Sequence, residues 1–265
     1  METELMSKGI VIYKEKLSDD VKVVVPLSGG KDSQACLKLA LHKYSPNEIL
    51  ALFCDTGYEH PITYKHVDNL VESLGVCHVY LQAGTVLSVC LKNKRFPGGG
   101  ARHCTDALKI RPTKFFLKEF SLLHPNLEVW YGMRSGESNE RAKRYENKID
   151  DDLYFPHEIM PSSYPKYLAK QGVKFRLPIL SWSEEQVFDF LDGEENELYS
   201  HGFDRVGCFP CLAGGEKLQK KAFDFDDTGK KHLNVAIEIA KVAGRNVFRT
   251  KGMQKHNPPC SICAI

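Results

Sequence analysis

The sequence lacks a hydrophobic segment long enough to cross a bilayer. Its longest uninterrupted apolar run covers residues 49–54, far short of the ~18 to 20 residues that a membrane-spanning helix needs. Residues 1–9 lack the apolar core of a signal peptide. We therefore expect no membrane association and a cytoplasmic location.

The sequence also lacks a large excess of charge of either sign. It has 36 Lys and Arg against 34 Asp and Glu, a formal net charge of +2 over 265 residues. This excludes a generally basic surface, so any contact with nucleic acid would need a local patch. No internal repeat or low-complexity tract is present, and 42% of the residues are hydrophobic, which is typical of a folded globular protein.

Cysteine is plentiful, with nine residues. In a reducing compartment, paired cysteines favour a metal or redox site over a disulfide. Two pairs have the spacing that lets adjacent thiolates converge on one ion or cluster: Cys208 with Cys211, and Cys260 with Cys263. Four others are expected to be buried and inert, as isolated cysteines usually are: Cys36, Cys54, Cys77 and Cys90.

The first half of the chain alternates apolar β-rich runs with helical patterns. Strands are predicted over residues 21–26, 49–54, 76–81 and 127–131, and helices over 33–42, 61–74 and 104–122. This alternation predicts an α/β fold, a doubly wound and mostly parallel sheet, in which ligands bind beyond the carboxyl ends of the strands.

The second half is less regular. We predict a nucleotide-binding core over residues 1–135 and an irregular, cysteine-bearing region over 136–265 that completes the active site. Within the latter, a capping box opens a helix over residues 183–191, and a second helix is predicted over 233–242.

One segment has the features of a phosphate-binding loop. Residues 23–33 read Val-Val-Val-Pro-Leu-Ser-Gly-Gly-Lys-Asp-Ser, an apolar strand followed by a glycine turn and a helical pattern. Glycines let backbone N–H groups approach an anion, and a helix start adds unpaired donors and the positive end of its dipole. The segment is not a Walker loop, which has four residues between its first glycine and its Gly-Lys.

The string Ser28-Gly29-Gly30-Lys31-Asp32-Ser33 resembles the SGGxDS loop of the PP-loop ATP pyrophosphatases. That superfamily splits ATP between its α and β phosphates and uses the AMP part to activate an acceptor. The resemblance implies an adenine nucleotide α-hydrolase-like fold. It also implies that the loop holds the pyrophosphate of ATP, that Asp32 lies near Mg²⁺, and that Lys31 helps neutralise the departing pyrophosphate.

Further motifs resemble one branch of that superfamily, the phosphoadenosine phosphosulfate (PAPS) reductase-like proteins. Residues 52–61 resemble its second-strand motif, which implies that the backbone near Leu52 and Phe53 meets adenine and that Asp55 lies by the phosphates. Residues 178–187 also resemble the branch, and we predict that they pack in the core.

Residues 132–142 resemble the GxRxxES-xxRA segment of the same branch. The resemblance places Gly132 and Arg134 at the nucleotide. Arg134 and Arg141 would offer planar, bidentate donors to a phosphate or a sulfur-bearing anion.

The cysteines allow two metal sites. The first is a structural Zn²⁺ held by all four paired cysteines, as in zinc ribbons. The second follows from the resemblance: iron-sulfur members of the branch hold a [4Fe-4S] cluster with a Cys-Cys pair before Lys-x-x-Pro and a later CxxC. Residues 104–112 fit that register, with Thr105 in place of the second cysteine.

The iron-sulfur alternative therefore uses Cys104, Cys208 and Cys211. Cys260 or Cys263 would complete the cluster, or one iron would stay open to carry a sulfide. We favour this alternative because Cys104 would otherwise have no assigned task.

The reaction is predicted from departures from the reductases. Sulfonucleotide reductases bind a ready-made adenylyl sulfate, and their loop is typically degraded, whereas this loop is intact. They also use a Glu-Cys-Gly-Leu-His-type motif, whereas this chain ends Cys-Ser-Ile-Cys-Ala-Ile. An intact loop beside a cysteine cluster resembles sulfur-insertion enzymes, so we predict an ATP pyrophosphatase that serves DNA phosphorothioation or, next, tRNA thiolation.

Sulfur would come from a cysteine desulfurase partner, through the cluster or a persulfidated cysteine. Basic groups at residues 92–95, 141–144 and 217–221 are candidate contacts for a nucleic-acid acceptor, although each is at least as well explained as a solvated face. Two alternatives remain: a PAPS or APS sulfonucleotide reductase, and a regulator that senses ATP without turnover.

Overall fold

The computed structural model describes residues 1–97 and 102–248 of the chain. Its centre is a six-stranded sheet: β1 (Val11–Lys16), β2 (Val23–Leu27), β3 (Ile49–Asp55), β4 (Cys77–Gln82), β5 (Glu128–Trp130) and β6 (Lys174–Arg176). The strand order is β1-β4-β3-β2-β5-β6. β1 runs antiparallel to β4, and all other neighbours are parallel.

Helices connect these strands. The first half holds α1 (Glu2–Ser7), α2 (Lys31–Ala40), α3 (Pro61–Ser73), α4 (Val86–Asn93), α5 (His103–Thr105) and α6 (Arg111–Phe120). The second half holds α7 (Asn139–Arg144), α8 (Pro156–Ile159), α9 (Lys166–Lys170), α10 (Glu184–Leu191), α11 (Glu216–Phe223) and α12 (Asp227–Ala243).

The sheet is covered on both faces, which explains the continuous apolar runs of its central strands. On β3 every residue is buried, and alternate side chains enter different clusters. Leu50 and Leu52 pack with residues of α6, whereas Ile49, Ala51 and Phe53 pack with residues of α2 and α3. The core thus lies in two layers, one on each side of the sheet.

The predicted fold class, a doubly wound and mostly parallel sheet, is confirmed. From β2 the chain moves through β3 to β4 on one side, and β5 and β6 extend the sheet on the other side of β2. The order of winding therefore reverses between β2 and β5. In open α/β sheets, ligands bind at this switch point, beyond the carboxyl ends of the two strands.

The sequence missed two strands. The edge strand β1 reads Val-Ile-Tyr-Lys-Glu-Lys and is mostly exposed, so it lacks the apolar pattern of a buried strand. β6 has only three residues and comes from beyond the predicted division at residue 135. Because β6 pairs with β5, the sheet draws on both parts of the chain.

The predicted helix over residues 104–122 exists as a run of three elements. Between α5 and α6 lies one π-helical segment, Asp106–Ile110. Pro112, in the first turn of α6, has no N–H to donate to the carbonyl of Leu108, which weakens regular α-helix geometry there. This run carries Cys104 and Lys109 toward the carboxyl edge of β3. Among the described residues, no helix combines the length and apolar composition that crossing a bilayer requires.

Candidate functional site

The predicted phosphate loop lies at the carboxyl end of β2. Gly30 occupies the N-cap position of α2 with an extended backbone, and Gly29 has a φ of +76°. A β carbon added to Gly29 would lie 2.4 Å from Cγ2 of Thr63. Only glycine fits this position, because any side chain would be strained by the positive φ and would collide with α3.

Hydroxyl groups hold the loop closed from within. The Ser28 N–H donates to Ser33 Oγ over 3.1 Å, and Ser33 Oγ donates to the Gly30 carbonyl over 2.9 Å. These bonds fix the turn at the start of α2.

Two buried cations lie beside the loop. Lys31 is 3% exposed and Arg134 is 6% exposed. Arg134 Nε donates to Asp32 Oδ1 over 2.5 Å, and Lys31 Nζ lies 3.4 Å from Asp32 Oδ2 and 2.8 Å from Glu184 Oε1. Burial alone would lower the pKa of Lys31, but the hydrogen bond to Glu184 and the nearby charges raise it above its usual value. Lys31 therefore keeps its positive charge in the fold.

The carboxyl end of β5 approaches the loop very closely. A β carbon added to Gly132 would lie 2.4 Å from the Asp32 carbonyl oxygen and 2.9 Å from the Ser33 nitrogen. The absence of a side chain at Gly132 thus lets β5 deliver Arg134 to Asp32. The phosphate loop after β2 carries Lys31 and Asp32, and the loop after β5 carries Gly132 and Arg134. Residues predicted from two separate motifs therefore lie together at the switch point.

A distant segment, residues 196–207, covers the phosphate loop. Asn196 is fully buried and donates from Nδ2 to the Gly29 carbonyl over 3.1 Å. The Lys31 N–H donates to the Tyr199 hydroxyl over 3.0 Å, and a β carbon on Gly30 would lie 3.0 Å from the Val206 carbonyl oxygen. The sequence predicted no contact between this segment and the loop, because the two are more than 160 residues apart in the chain.

Asp55 ends β3 next to the loop. It is 7% exposed, and its carboxylate accepts hydrogen bonds from the Gly57 N–H (2.8 Å), the Tyr64 hydroxyl (2.6 Å), Gln82 Nε2 (2.9 Å) and the Tyr13 hydroxyl (3.3 Å). Burial, with the adjacent carboxylates, raises the pKa of Tyr64 and Tyr13 well above the usual tyrosine value. Both phenols therefore stay protonated and serve as donors.

A second buried carboxylate, Glu59, faces the first cysteine pair. Glu59 is 3% exposed and accepts from Thr56 Oγ1 over 2.8 Å. Its Oε1 lies 3.6 Å from Cys208 Sγ and 3.8 Å from Lys109 Nζ. Glu59 and Cys208 also form an isolated antiparallel backbone bridge. Glu59 lies within the second-strand motif and Lys109 within the Lys-x-x-Pro register, but neither was predicted as a site residue.

Tyr64 joins the two carboxylates. Its hydroxyl lies 2.6 Å from Asp55 Oδ1 and 3.3 Å from Glu59 Oε2. A continuous polar chain therefore runs from the carboxyl end of β3 to the thiol of Cys208.

Three of the predicted metal-ligating cysteines lie in this region. Cys104, Cys208 and Cys211 are partly exposed. Burial, followed by the neighbouring Cys211, raises the pKa of Cys104. Burial raises the pKa of Cys208 to about 11, against the opposing effect of Lys109.

Within the described residues, no three His, Cys, Asp or Glu side chains are grouped so that they could hold a metal ion. A single Zn²⁺ would need its thiolates converging at ~2.3 Å, whereas in a [4Fe-4S] cluster each thiolate binds its own iron. The second cysteine pair, Cys260 and Cys263, lies outside the described residues.

Comparison with known proteins agrees with the loop motif. Residues 22–213 match the model of the phosphoadenosine phosphosulfate reductase domain, which is more than half of the chain. The chain belongs to this family.

Relatives of this reductase-domain protein differ in their names. An uncharacterized protein of Methanocaldococcus jannaschii is 32% identical over 224 residues, which cover 83% of this chain and 42% of that protein. Sulfate adenylyltransferase subunit 2 of Streptomyces lavendulae is 26% identical over 256 residues, which cover 89% of this chain and 77% of that protein. The chain spans between 40% and 66% of the length of three of the curated relatives that it matches.

Among solved structures, the U34-tRNA thiolase NcsA from Methanococcus maripaludis with its [4Fe-4S] cluster aligns with a TM-score of 0.47 and 18% identity. The alignment covers 86% of this chain and 71% of that chain.

The remaining predicted site residues of this reductase-domain protein lie on β3, beside the strand that leads into the loop, and on α7. Leu52 and Phe53 are buried inside β3 and pair with strands on both sides, so their side chains pack in the core. Arg141 lies on α7 and pairs with Glu137, whose Oε1 also accepts from the Arg134 N–H over 3.1 Å. The four cysteines predicted to be inert are buried: Cys36, Cys54, Cys77 and Cys90.

Proposed function

We propose that the chain is an ATP pyrophosphatase that adenylates an acceptor for sulfur insertion. The proposal rests on one observation: an intact phosphate loop with two buried cations, Lys31 and Arg134, lies at the switch point of the sheet, and the neighbouring strand end leads to Cys208. The name of one relative, sulfate adenylyltransferase subunit 2, supports transfer of an adenylyl group by a member of this family.

The proposed chemistry has two steps. An acceptor oxygen attacks the α phosphorus of ATP, and the bond to the β phosphate breaks with release of pyrophosphate. A sulfide-level nucleophile then attacks the activated centre, and AMP leaves with the acceptor oxygen. The acceptor gains sulfur in place of oxygen, and no electrons are gained or lost.

This chain's residues would stabilise the leaving pyrophosphate. The helix start and loop donors bind its oxygens, and Lys31 and Arg134 offset its charge as the bond breaks. Asp32 would hold Mg²⁺, since each of its oxygens contacts one cation and a carboxylate keeps further lone pairs. The metal would neutralise charge on the phosphates.

Cys104, Cys208 and Cys211 would hold a [4Fe-4S] cluster. The donor set fits in kind, because all three side chains are partly exposed thiols and Cys211 is a near neighbour of both Cys104 and Cys208. When bound, the cluster would supply an open iron that carries sulfide. Thr56, Glu59 and Lys109 would orient the Cys208 thiol, whose Sγ lies 3.4 Å from Thr56 Oγ1.

The acceptor we propose is nucleic acid, with the DNA backbone favoured and tRNA next. The sulfur source would be a cysteine desulfurase, whose persulfide sulfur a thiol reductant would bring to the sulfide level by supplying two electrons. Residues 92–95 supply exposed basic side chains at the end of α4, and α4 packs against α5, which carries Cys104. A phosphate backbone bound there would lie on the cysteine side of the molecule.

A second candidate is sulfonucleotide reduction, which the family description favours. It predicts tight binding of adenylyl sulfates and thioredoxin-dependent release of sulfite. A third, an ATP-sensing regulator, predicts ATP binding without any release of pyrophosphate.

Pyrophosphate release from ATP and Mg²⁺ by anaerobically purified protein is the deciding experiment. We expect release in the presence of nucleic acid and a sulfur donor, and its loss in Asp32→Ala. Asp19→Ala is the matched control, since Asp19 is exposed near the opposite end of β2. Sulfite release without pyrophosphate would favour the reductase, and neither product would favour the regulator.

Visible absorbance tests the metal. A cluster protein purified without oxygen should be brown, whereas a zinc protein is colourless because Zn²⁺ is d¹⁰. Cys104→Ala should remove the colour and the iron, and Cys77→Ala, which alters a buried thiol of β4, should keep both. A colourless protein that contains zinc would contradict the cluster.

A further inference from the structure

Glu184 opens α10 beside the phosphate loop. It is the first residue of the helix, after the N-cap Ser183, and its side chain is 56% exposed. Val187 and Leu191 of the same helix are fully buried and pack with Ala35 of α2. The position of Glu184 over the loop is therefore fixed by helix packing, while its carboxylate remains open to solvent.

The carboxylate of Glu184 contacts both buried cations. Its Oε1 lies 2.8 Å from Lys31 Nζ and 3.9 Å from Arg134 Nη2. The Lys31 ammonium also lies 5.4 Å from the ring centroids of Phe188 and Tyr199. Aromatic rings thus cover Lys31 on two sides, and Glu184 covers it at the solvent side.

An anion that reaches Lys31 must therefore displace Glu184. The two cations already contact two carboxylates, Asp32 and Glu184, and a further anion beside them would be repelled. A ligand that does not reach Lys31 or Arg134 has no such competitor.

We propose that Glu184 is an internal counter-ion that occupies Lys31 and Arg134 in the free protein and leaves them when the pyrophosphate part of a nucleotide binds. This rests on the proposed function, since it assumes that the loop binds a polyphosphate. Glu184 thereby lowers the affinity for every anion that uses these two cations, and it does not affect recognition of the nucleoside.

Binding of ATP, pyrophosphate and adenosine to the full chain tests this proposal. Glu184→Gln keeps the shape of the side chain and removes its charge, and we expect it to bind ATP and pyrophosphate about fivefold more tightly than the wild type, the size typical of a half-exposed ion pair. Adenosine affinity should not change.

Glu185→Gln is the matched control. Glu185 follows in the same helical turn, is exposed, and forms no ion pair with any described residue. Its substitution therefore changes the net charge by the same amount as Glu184→Gln but removes no contact with Lys31. Its affinities should equal those of the wild type, and thermal melting of both variants should show that they fold.

Three other results would count against the role of Glu184 or against the proposed function. Weaker binding of pyrophosphate by Glu184→Gln would overturn the proposal and make Glu184 a residue that positions Lys31. If both variants bound ATP and pyrophosphate more tightly by the same factor, the cause would be the change in net charge alone, and the proposal would also be overturned. If the wild type and both variants bind neither ATP nor pyrophosphate, the proposed function fails rather than the role of Glu184 alone.

Discussion

At the scale of single residues, Gly132 leaves no room for a side chain. A β carbon there would lie 2.4 Å from a backbone oxygen of Asp32, which cannot rotate away as a side chain would. Gly132→Ala should push β5 from the loop and displace Arg134. We expect ATP affinity to fall about tenfold or more and stability to fall by about 1 to 3 kcal/mol.

Gly136→Ala is the control for that prediction. A β carbon at Gly136 would meet no atom within 4 Å, so both affinity and the urea midpoint should match the wild type. Equal ATP affinity in the two alanine variants would show that the approach of β5 to the loop does not matter.

Asn196 offers a second residue-scale test. Asn196→Ala leaves the Gly29 carbonyl without its side-chain donor and the Leu198 N–H without its acceptor. Unpaired buried polar groups cost about 1 to 3 kcal/mol, so the urea midpoint should fall, and ATP binding with it. Asn234→Ala, at an exposed position of α12, should change neither.

Among single residues, the sequence predicted those of the phosphate loop and Arg134, but not the residues that hold the loop in place. Glycines and serines of the loop are local, so a short string identifies them. Asn196 and Tyr199 contact loop residues 167 and 168 positions away in the chain, and Glu59 reaches Cys208 149 positions away. Local spacing does not predict such contacts. Glu184 was expected only to belong to a packing segment, yet its carboxylate reaches Lys31.

At the scale of secondary structure, prediction followed burial. The four central strands are mostly apolar and were predicted to within about two residues at each end. β1 was missed because Lys and Glu fill its exposed positions. β6 was missed because three residues are too few to show the alternation of apolar and polar residues that marks a strand. The predicted helix over 233–242 begins earlier, at Asp227, where Asp226 accepts from the Gly229 N–H over 2.8 Å.

The capping box of α10 provides an element-scale prediction. Ser183 accepts from the Gln186 N–H over 3.1 Å, and this bond fixes where the helix starts. Ser183→Ala should lower the free energy of unfolding by about 1 kcal/mol, measured by urea titration. Ser183→Asp restores an acceptor and should recover most of the loss; equal midpoints for Ser183→Ala and the wild type would contradict the cap.

At the scale of the whole molecule, titration should make the fold sensitive to acid. Burial lowers the pKa of four histidines: His66, His78, His124 and His232. Hydrogen bonds hold the pKa of three carboxyls below the usual range: Glu128, Glu184 and Asp226. A group with a lowered pKa binds fewer protons when folded than when unfolded, so stability rises with pH where it titrates.

Stability should therefore be greatest near pH 7.5 and fall in two stages as the pH drops. In the first stage the histidines gain protons on unfolding, so stability is lost as the pH falls below their ordinary pKa of 6.5. In the second stage the three carboxyls do the same as the pH falls through the usual carboxyl range. Urea midpoints at pH 7.5, 6 and 4.5 should decrease in that order. His124→Gln should make the first stage shallower. A constant midpoint from pH 7.5 to 6 would contradict the first stage.

The segment that covers the phosphate loop also sets the order of events during synthesis. Asn196 reaches back 167 residues to Gly29, and Tyr199 reaches back 168 residues to Lys31. Contacts so distant in the chain form late, because a long loop must close before they are made. While the ribosome is still translating the second half, the glycine turn is already outside the exit tunnel, and the segment that will cover it has not yet been made. A nascent chain acquires its complete anion site only when residue 199 has emerged.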